Sequence, residues 1–564
     1  MSRHLPIDLE QTPFSASGSW MSLSRPQGKH YQPQGPGLYL RTHHFRPLSK
    51  RELFRLQPLL NGQEVPFHEK VEAHRLTLIP DQGEGRIEIV FDGDKSVRIK
   101  GKGLALKIST ATAGQLVGYS EGKNRFTVNA RQSHRRYEFD MIEGDLSWEA
   151  PFEVDHSPQV DISMSGESWE VAIDEFLSSW IRPCRNDFEQ VVTSRQEEWD
   201  HFSSSFPPSK QGWDQGALVA KYILWSCTMA PSGQLSRPAI FMSLNWMDQV
   251  WSWDNLFNAA SLAAGHPDLA RDQILVVADH QDDHGAYPDG LNDQFKHYNF
   301  SKPPVQGLLL SWMREHSPSF WTEERQRELY PTLKAFTLWW LSFRRWEGED
   351  LCHYLHGNDS GWDNTTLLRK GAPIQCPDLN SFLIVQCRLL EEMAPIVNDD
   401  SEDWKAHADQ IQKALLQTLW HDQQFCGRLL STGELVDSRS LVSCMPVVLG
   451  QALPKDILST TVERIRSFVT PHGPSTEQTD SPLYESDGYW RGPIWAPSTF
   501  LTVQGLLKCG EDELAMDIAQ RFCHTCQNAT MAENFNALTG DGLRDPAYTW
   551  TSAVFLELAR LVEA

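Results

Sequence analysis

The chain has 564 residues and a formal net charge of −23, with 51 Lys plus Arg against 74 Asp plus Glu. That length exceeds what one hydrophobic core usually supports, so two structural units are expected, and the acidic balance without a dense Lys/Arg block excludes the basic stripe that neutralises a nucleic-acid backbone. No run approaches the roughly 20 apolar residues of a membrane span, and Met1 to Gln11 offer no apolar leader region, so the expectation is a cytoplasmic protein with neither nucleic acid nor membrane as partner.

From about residue 30 to 175, polar and apolar residues alternate, as in Arg86-Ile87-Glu88-Ile89, Val97-Arg98-Ile99-Lys100, Arg125-Phe126-Thr127-Val128 and Val160-Asp161-Ile162-Ser163. Short strands of this kind, separated by Gly and Asp turns, predict an antiparallel β-sandwich. A helical stretch is expected over roughly Ser168 to Phe202, before the break Pro207-Pro208-Ser209-Lys210. The boundary then falls between 180 and 210, with a sandwich domain and helical linker over 1–205 and a second domain over 206–564.

Beyond the break the period changes to about 3.6. Helices are expected to start near residues 213, 254, 268, 303, 323, 378, 402, 437, 455, 494, 511 and 548. Pro267-Asp268, Pro303-Pro304, Pro377-Asp378, Pro493 and Asp545-Pro546 are start signals, since proline suits a first helical turn. A dozen helices with no fixed repeat predict a closed double ring rather than a solenoid. The expected fold class is therefore an all-α (α/α)6 barrel with an N-terminal antiparallel β-sandwich domain.

The segments richest in chemistry fall just before even-numbered helices. Trp251-Ser252-Trp253-Asp254 precedes the second, Lys302-Pro303-Pro304 the fourth, Gly361-Trp362-Asp363-Asn364 the sixth, Tyr489-Trp490-Arg491-Gly492-Pro493 the tenth, and Glu533 to Trp550 the twelfth. In a ring of helices that alternate in direction, these connections emerge at one end and line a central pit.

The 21 tryptophans gather in such loops, and rings beside carboxylates suit sugars, whose C–H faces stack while their hydroxyls bond to acids and amides. Breaking a glycosidic bond needs one carboxylic acid to protonate the departing oxygen and a second carboxylate to activate water or attack directly. Asp254, Asp289, Asp293, Asp359, Asp363, Glu485, Asp487, Glu533, Asp541 and Asp545 are all rim candidates, and composition does not choose among them. Asp363 lies against Trp362, an apolar wall that favours the protonated form, while Glu533 has the amides of Asn534 and Asn536 beside it to orient a water. The ten cysteines are scattered, and the Cys523/Cys526 pair lies in a helical pattern, so core packing is expected there, with no metal and no cofactor.

These rim segments resemble glycoside hydrolase family 63, the α-glycosidases related to eukaryotic processing glucosidase. Tyr489-Trp490-Arg491-Gly492-Pro493-Ile494-Trp495 matches the family's most distinctive segment, and Asp359-Ser360-Gly361-Trp362-Asp363-Asn364 resembles its general-acid loop. Glu533-Asn534-Phe535-Asn536 followed by Tyr548-Thr549-Trp550-Thr551 resembles its general-base segment, and Trp253-Asp254 with Lys302-Pro303-Pro304 extends the likeness over roughly 240 to 560. The resemblance implies Asp363 as general acid and Glu533 as general base. It also implies that Asp254, Trp362, Trp490 and Arg491 contact the first sugar, with Trp253, Gly361, Gly492, Trp495 and Trp550 completing the substrate-binding set.

Two departures stand out. Asp359 occupies a place where the family commonly has Glu, and the Pro-Gly-Gly-Arg-Phe signature of the related trehalases is absent. The implied activity is an inverting, exo-acting α-glucosidase on a small glucoside or oligosaccharide, with a small-molecule carbohydrate as its partner. The alternatives are an α-mannosidase or glycerate-glycoside hydrolase on the same scaffold, and a catalytically silent glycan-binding protein. Arg369, Lys370, Lys302 and Arg544 lie near the rim, most of them expected as solvated surface charge. Replacing Trp362 or Trp490 with Ala is expected to weaken substrate binding more than the fold.

Overall fold

The alternating segments fold as antiparallel strands, with Ile87, Ile89, Val97 and Ile99 buried and Ile89 paired opposite Ile99. Such cross-strand apolar pairs are the unit of sheet stabilisation. The computed structural model describes residues 5–26, 35–44, 51–111, 116–131 and 133–564. It divides into one unit of Met1–Ser204, Tyr222–Gly233 and Ser243–Asp248, and a second of Ser205–Lys221, Gln234–Met242 and Gln249–Ala564.

In the first unit, hydrogen bonding joins 13 strands into one branched antiparallel network rather than the two separate sheets of a sandwich. Two long strands, Arg135–Glu149 and Asp161–Phe176, explain this. They pair with each other, and the second pairs onward with Ala105–Thr110 through Asp161–Met164 and with Ser96–Lys102 through Ser168–Asp174. Between those halves Gly166 has φ 143°, where a Cβ would fall 2.9 Å from the Ser168 carbonyl oxygen. A bend at glycine thus lets one strand serve two neighbours on the same edge.

The helix expected from Ser168 is a strand as far as Phe176, and helix begins only at Phe188, running Phe188–Ser205. Trp169, Val171 and Ile173 are buried; Val171 and Ile173 are paired on both edges and Trp169 with Gly101 on one. Tertiary pairing overrides the local pattern there.

In the second unit the helical segments begin within about a turn of their expected starts, with Pro267 and Pro377 opening theirs. Six of them contact one another in cyclic order, the last returning to the first. They are Asp254–Leu262, Gln306–His316, Pro377–Val397, the kinked 3-10 stretch Leu441–Ala452, Ala496–Cys509 and Thr549–Leu558. These are the even-numbered helices of the sequence. Every residue of Asp254–Leu262 and of Thr549–Leu558 is buried, as befits a helix enclosed on all sides, whereas Lys455–Arg466 and Asp512–Asn528 bury one stripe.

The unit is not purely α. Its connections carry short antiparallel ribbons, among them Val250–Trp251 with Gly290–Leu291 and Lys296–His297, and Ile494–Trp495 with Asn534–Phe535 and Gly542–Leu543. Two-residue ladders pair the main-chain groups of the buried Gly290–Leu291, Ile494–Trp495 and Asn534–Phe535. Cys523 and Cys526 are buried within Asp512–Asn528. Among the described residues, no helix is long and apolar enough to cross a membrane.

Candidate active site

Trp253, Trp362, Trp490, Trp495 and Trp550 come from four distant loops and meet in one cluster. Trp490 stacks on Trp495 with centroids 4.1 Å and planes 6° apart, and it lies 5.0 Å from Trp362 and 6.2 Å from Trp253. Trp550 meets Trp253 edge-on at 5.8 Å and Trp495 at 5.5 Å. None of the five is more than 3 % exposed, so packing holds them whatever they add to sugar binding. Trp495 Nε1 donates to the Tyr489 carbonyl at 2.8 Å, and Trp550 Nε1 to the Glu533 carbonyl at 3.4 Å. Trp362 Nε1 is buried with no hydrogen-bond partner among the described residues.

Two glycines of the sequence-derived set have a steric role. Gly361 has φ 72°, and a Cβ there would lie 2.5 Å from the Trp253 ring. Gly492 has φ 155°, and a Cβ there would lie 2.2 Å from the Glu485 carbonyl oxygen. A side chain at Gly361 would push its loop away from Trp253, and one at Gly492 would break the turn that begins at Tyr484.

Around the aromatic cluster sit the carboxyl groups. Asp254 opens its helix, where main-chain N–H groups favour an anion, yet burial pushes its carboxyl up to about 8; Lys302 opposes this, and Asp363 and Asp289 add to it. Burial likewise pushes Glu533 up to about 8, the Asp545 carboxylate adding to the effect. Burial raises Asp363 too, while Lys302 pulls it back. Low dielectric disfavours each charged form, and the nearest opposite charge restores part of it.

For Asp254 and Asp363 that charge is Lys302, and for Glu533 it is Arg544. The buried Lys302 Nζ donates to the Asn358 carbonyl at 2.9 Å, and it lies 3.3 Å from Asp289 Oδ1 and 4.0 Å from Asp363 Oδ1. Burial works against the ammonium, but Asp363, Asp289 and Asp254 outweigh it and raise its pKa. Sequence reasoning placed Lys302 in a motif and among rim charges expected mostly at the surface; it is buried instead, and its role as common counter-ion depends on loops meeting from 254, 289 and 363. Tyr489 and Tyr548 were missed as functional groups as well. Burial raises both phenols well above their ordinary value, with Asp363 adding most at Tyr489 and Asp254 at Tyr548. The signal available for Tyr489 was its place at the head of the Tyr-Trp-Arg-Gly-Pro segment.

Local hydrogen bonds position the two candidate catalytic groups. The buried Asp359 accepts from Ser301 N at 2.9 Å, Leu355 N at 2.8 Å and Arg344 Nη1 at 2.8 Å. The shorter side chain at this position is thus committed to tying the Asp363 loop to the segment that carries Lys302. Glu533 is placed by the ribbon that pairs Trp495 with Asn534 and by its own N–H, which donates to the Asp545 carbonyl at 2.7 Å. Both polar side-chain atoms of Asn534 are buried without a hydrogen-bond partner among the described residues.

Arg491 pairs with Glu485 at 2.8 Å and is about a third exposed. With Asp363, His356, Thr365, Arg369 and Leu483 it lines a cavity of about 660 Å³. Other rim charges pair at the surface, Arg369 with Asp437 at 2.8 Å, Arg544 with Asp487 at 2.9 Å, and Lys370 with Glu434.

Residues 247–551 match the family described as mannosylglycerate hydrolase MGH1-like glycoside hydrolase domain. The chain is 21 % identical over 394 residues to a periplasmic trehalase of Escherichia coli O1:K1 / APEC, covering 56 % of this chain and 67 % of that relative. It also resembles a solved GH63 mannosylglycerate hydrolase from Thermus thermophilus in complex with glucose, with TM-score 0.52 and 18 % identity, over 60 % of this chain and 98 % of that one. The same hydrolase in complex with Tris and D-glycerate has TM-score 0.51 at 18 % identity and the same coverage, 60 % and 98 %. A bacterial glucoamylase complexed with acarbose has TM-score 0.61 at 12 % identity, over 99 % of this chain and 94 % of that one. At such identities the solved structures speak for the fold alone.

Proposed function

The chain belongs to the mannosylglycerate hydrolase MGH1-like glycoside hydrolases of family 63, and from that premise we propose that it cleaves a small α-glycoside with inversion, Asp363 acting as general acid and Glu533 as general base. The observation that carries this reading is the indole cluster, in which Trp362 beside Asp363, Trp253 beside Asp254, and Trp550 bonded to the Glu533 carbonyl all meet around Trp490 and Trp495. The loops that carry the acid and base candidates therefore converge on one indole cluster. In this reading the six elements in cyclic contact are the inner ring of an (α/α)6 barrel, and the carboxyl groups gather at the end where those elements begin.

The chemistry follows from the placement. Asp363 gives its proton to the departing glycosidic oxygen as the anomeric C–O bond breaks. Glu533 takes a proton from a water that attacks the opposite face. Asp254 and the Trp362 N–H serve the hydroxyls of the bound sugar, and the cavity of about 660 Å³ beside Asp363 receives the leaving group. An α-glucoside is the first substrate class. An α-mannoside or a glycerate glycoside is the second, favoured by one observation: Arg491 and Arg369 both line that cavity, and guanidinium forks suit a carboxylate.

The test is sugar release from a panel of α-glucosides, trehalose, α-mannosides and both glycerate glycosides, followed by proton NMR in the first minutes. The β anomer is expected first, and initial α anomer would overturn inversion. Affinity without turnover across the panel would make the chain a glycan-binding protein. Asp363→Asn and Glu533→Gln are each expected to lose about 10² to 10⁴ in turnover while folding normally.

A further inference from the structure

Tyr489 combines an unusual backbone with a specific neighbour. Its φ is 65°, a left-handed conformation that a bulky residue rarely adopts unless its surroundings enforce it. Here they do. Trp495 donates its indole N–H to the Tyr489 carbonyl at 2.8 Å and presents its ring edge-on at 4.9 Å. Arg544 lies over the phenol ring at 5.0 Å and is held by Asp487 at 2.9 Å, a cation–π contact that keeps the ring in place.

The two residues flanking Tyr489 are fastened to the residue that follows Asp363. Asn364 Nδ2 donates to the Gly488 carbonyl at 3.0 Å, and Asn364 Oδ1 accepts from Trp490 N at 2.9 Å. One amide side chain thus sets the register between the loop carrying Asp363 and the loop carrying the tyrosine. Tyr489 is thereby held between two residues tied to the neighbour of Asp363, and its phenol lies close enough to the Asp363 carboxyl for each to influence the other's titration. Burial among carboxylates holds that phenol far above its ordinary pKa, so it keeps its proton and can only donate when it faces a carboxylate.

We propose that Tyr489 is a positioning residue for the general acid, donating its hydroxyl to one oxygen of Asp363 so that the transferable proton sits on the other oxygen, toward the leaving group. The inference rests on the reading of Asp363 as the acid. During the step, the Asp363 O–H bond breaks and a new O–H bond forms on the glycosidic oxygen, while Tyr489 keeps its own proton. Asp363 becomes a carboxylate as this happens, and the phenol's hydrogen bond becomes charge-assisted and roughly twice as strong. An interaction that strengthens toward the transition state raises kcat and leaves ground-state binding almost unchanged. Lys302, 4.0 Å from Asp363 Oδ1, supports the same charge.

The consequence is a dependence on the leaving group. Departing fluoride needs little protonation, whereas a departing alkoxide needs it fully. Tyr489→Phe keeps the ring against Arg544 and Trp495 and removes only the hydroxyl. With methyl α-glucoside or methyl α-mannoside, whichever is turned over, kcat is expected to fall about tenfold to hundredfold with KM within about threefold. With the matching α-glycosyl fluoride, kcat is expected to change by less than about threefold, which is the same selectivity expected of Asp363→Asn. Asn364→Ala, which releases the register between the loops, is expected to show the same selective loss, so the inference remains testable if Tyr489→Phe folds poorly. Equal losses on both substrates in the tyrosine and asparagine variants, with Asp363→Asn still selective, would overturn this inference alone. Equal losses in Asp363→Asn would overturn the acid assignment and this inference with it.

Discussion

The main-chain N–H of Glu533 donates to the carbonyl of Asp545 at 2.7 Å, and the two acidic side chains lie close enough to interact. The Asp545 carboxylate raises the proton affinity of Glu533, and the Asp545 main-chain N–H offsets part of that. A general base works only after losing its proton, so activity climbs through its pKa. Asp545→Asn removes the charge and keeps the main chain, and the acid limb of kcat/KM against pH is expected to move to lower pH. A limb that stays or moves upward would remove Glu533 from the base role.

The same burial links activity to stability. Glu533 is pushed up to about 8, whereas an unfolded Glu titrates near about 4.3. A carboxyl whose pKa is higher in the folded state contributes stability fully present below about 4.3 and lost as pH rises through about 8. Glu533→Gln removes that loss. Its thermal midpoint is expected to exceed the parent's by on the order of a few degrees at pH 9 and to match it at pH 5. Scanning calorimetry at the two pH values checks this, and a midpoint below the parent's at pH 9 would contradict it.

Lys302→Met would leave Asp254, Asp289 and Asp363 without the cation they share. Removing one partner of a buried ionic group costs about 3–5 kcal/mol. The cost is expected to be larger at pH 8 than at pH 5, because the carboxyl groups take up protons at lower pH and then need no counter-ion. Denaturant titration at both pH values measures it. A loss that does not vary with pH would point instead to packing against Trp251, whose ring lies 5.4 Å from the ammonium.

For the aromatic cluster, burial adds a stability cost to the loss of sugar binding expected from sequence. Trp490 is 1 % exposed and stacked on Trp495, so Trp490→Ala is expected to destabilise the chain by about 3–5 kcal/mol before any effect on sugar affinity is considered. Urea unfolding gives the number directly. A change below about 1 kcal/mol would mean that the cluster is a yielding surface rather than a packed floor.

Periodicity and proline placement in the sequence determined where the helices of the second unit begin. The motif pattern also picked out the loops ahead of Asp254, Gln306, Pro377, Ala496 and Thr549 as the chemical ones, because helix starts and core-facing stripes are local properties written within a few turns of chain. The identities of Asp363 and Glu533 as the leading acid and base candidates were legible in the same way, once their motifs stood in family order. Only the tertiary structure decided that residues 168–176 form a strand, since their edges are filled by chains distant in sequence, and that 13 strands share one hydrogen-bonded network. It alone decided that Lys302 is the cation shared by Asp254, Asp289 and Asp363, that Asp359 serves its loop, and that Asn364 bridges the main chain on either side of Tyr489. Each of these depends on how far apart charges and dipoles from separate loops come to lie. Coulomb energy and hydrogen bonding are set by that distance and by exclusion of water, and neither is encoded in the neighbours of a residue along the chain.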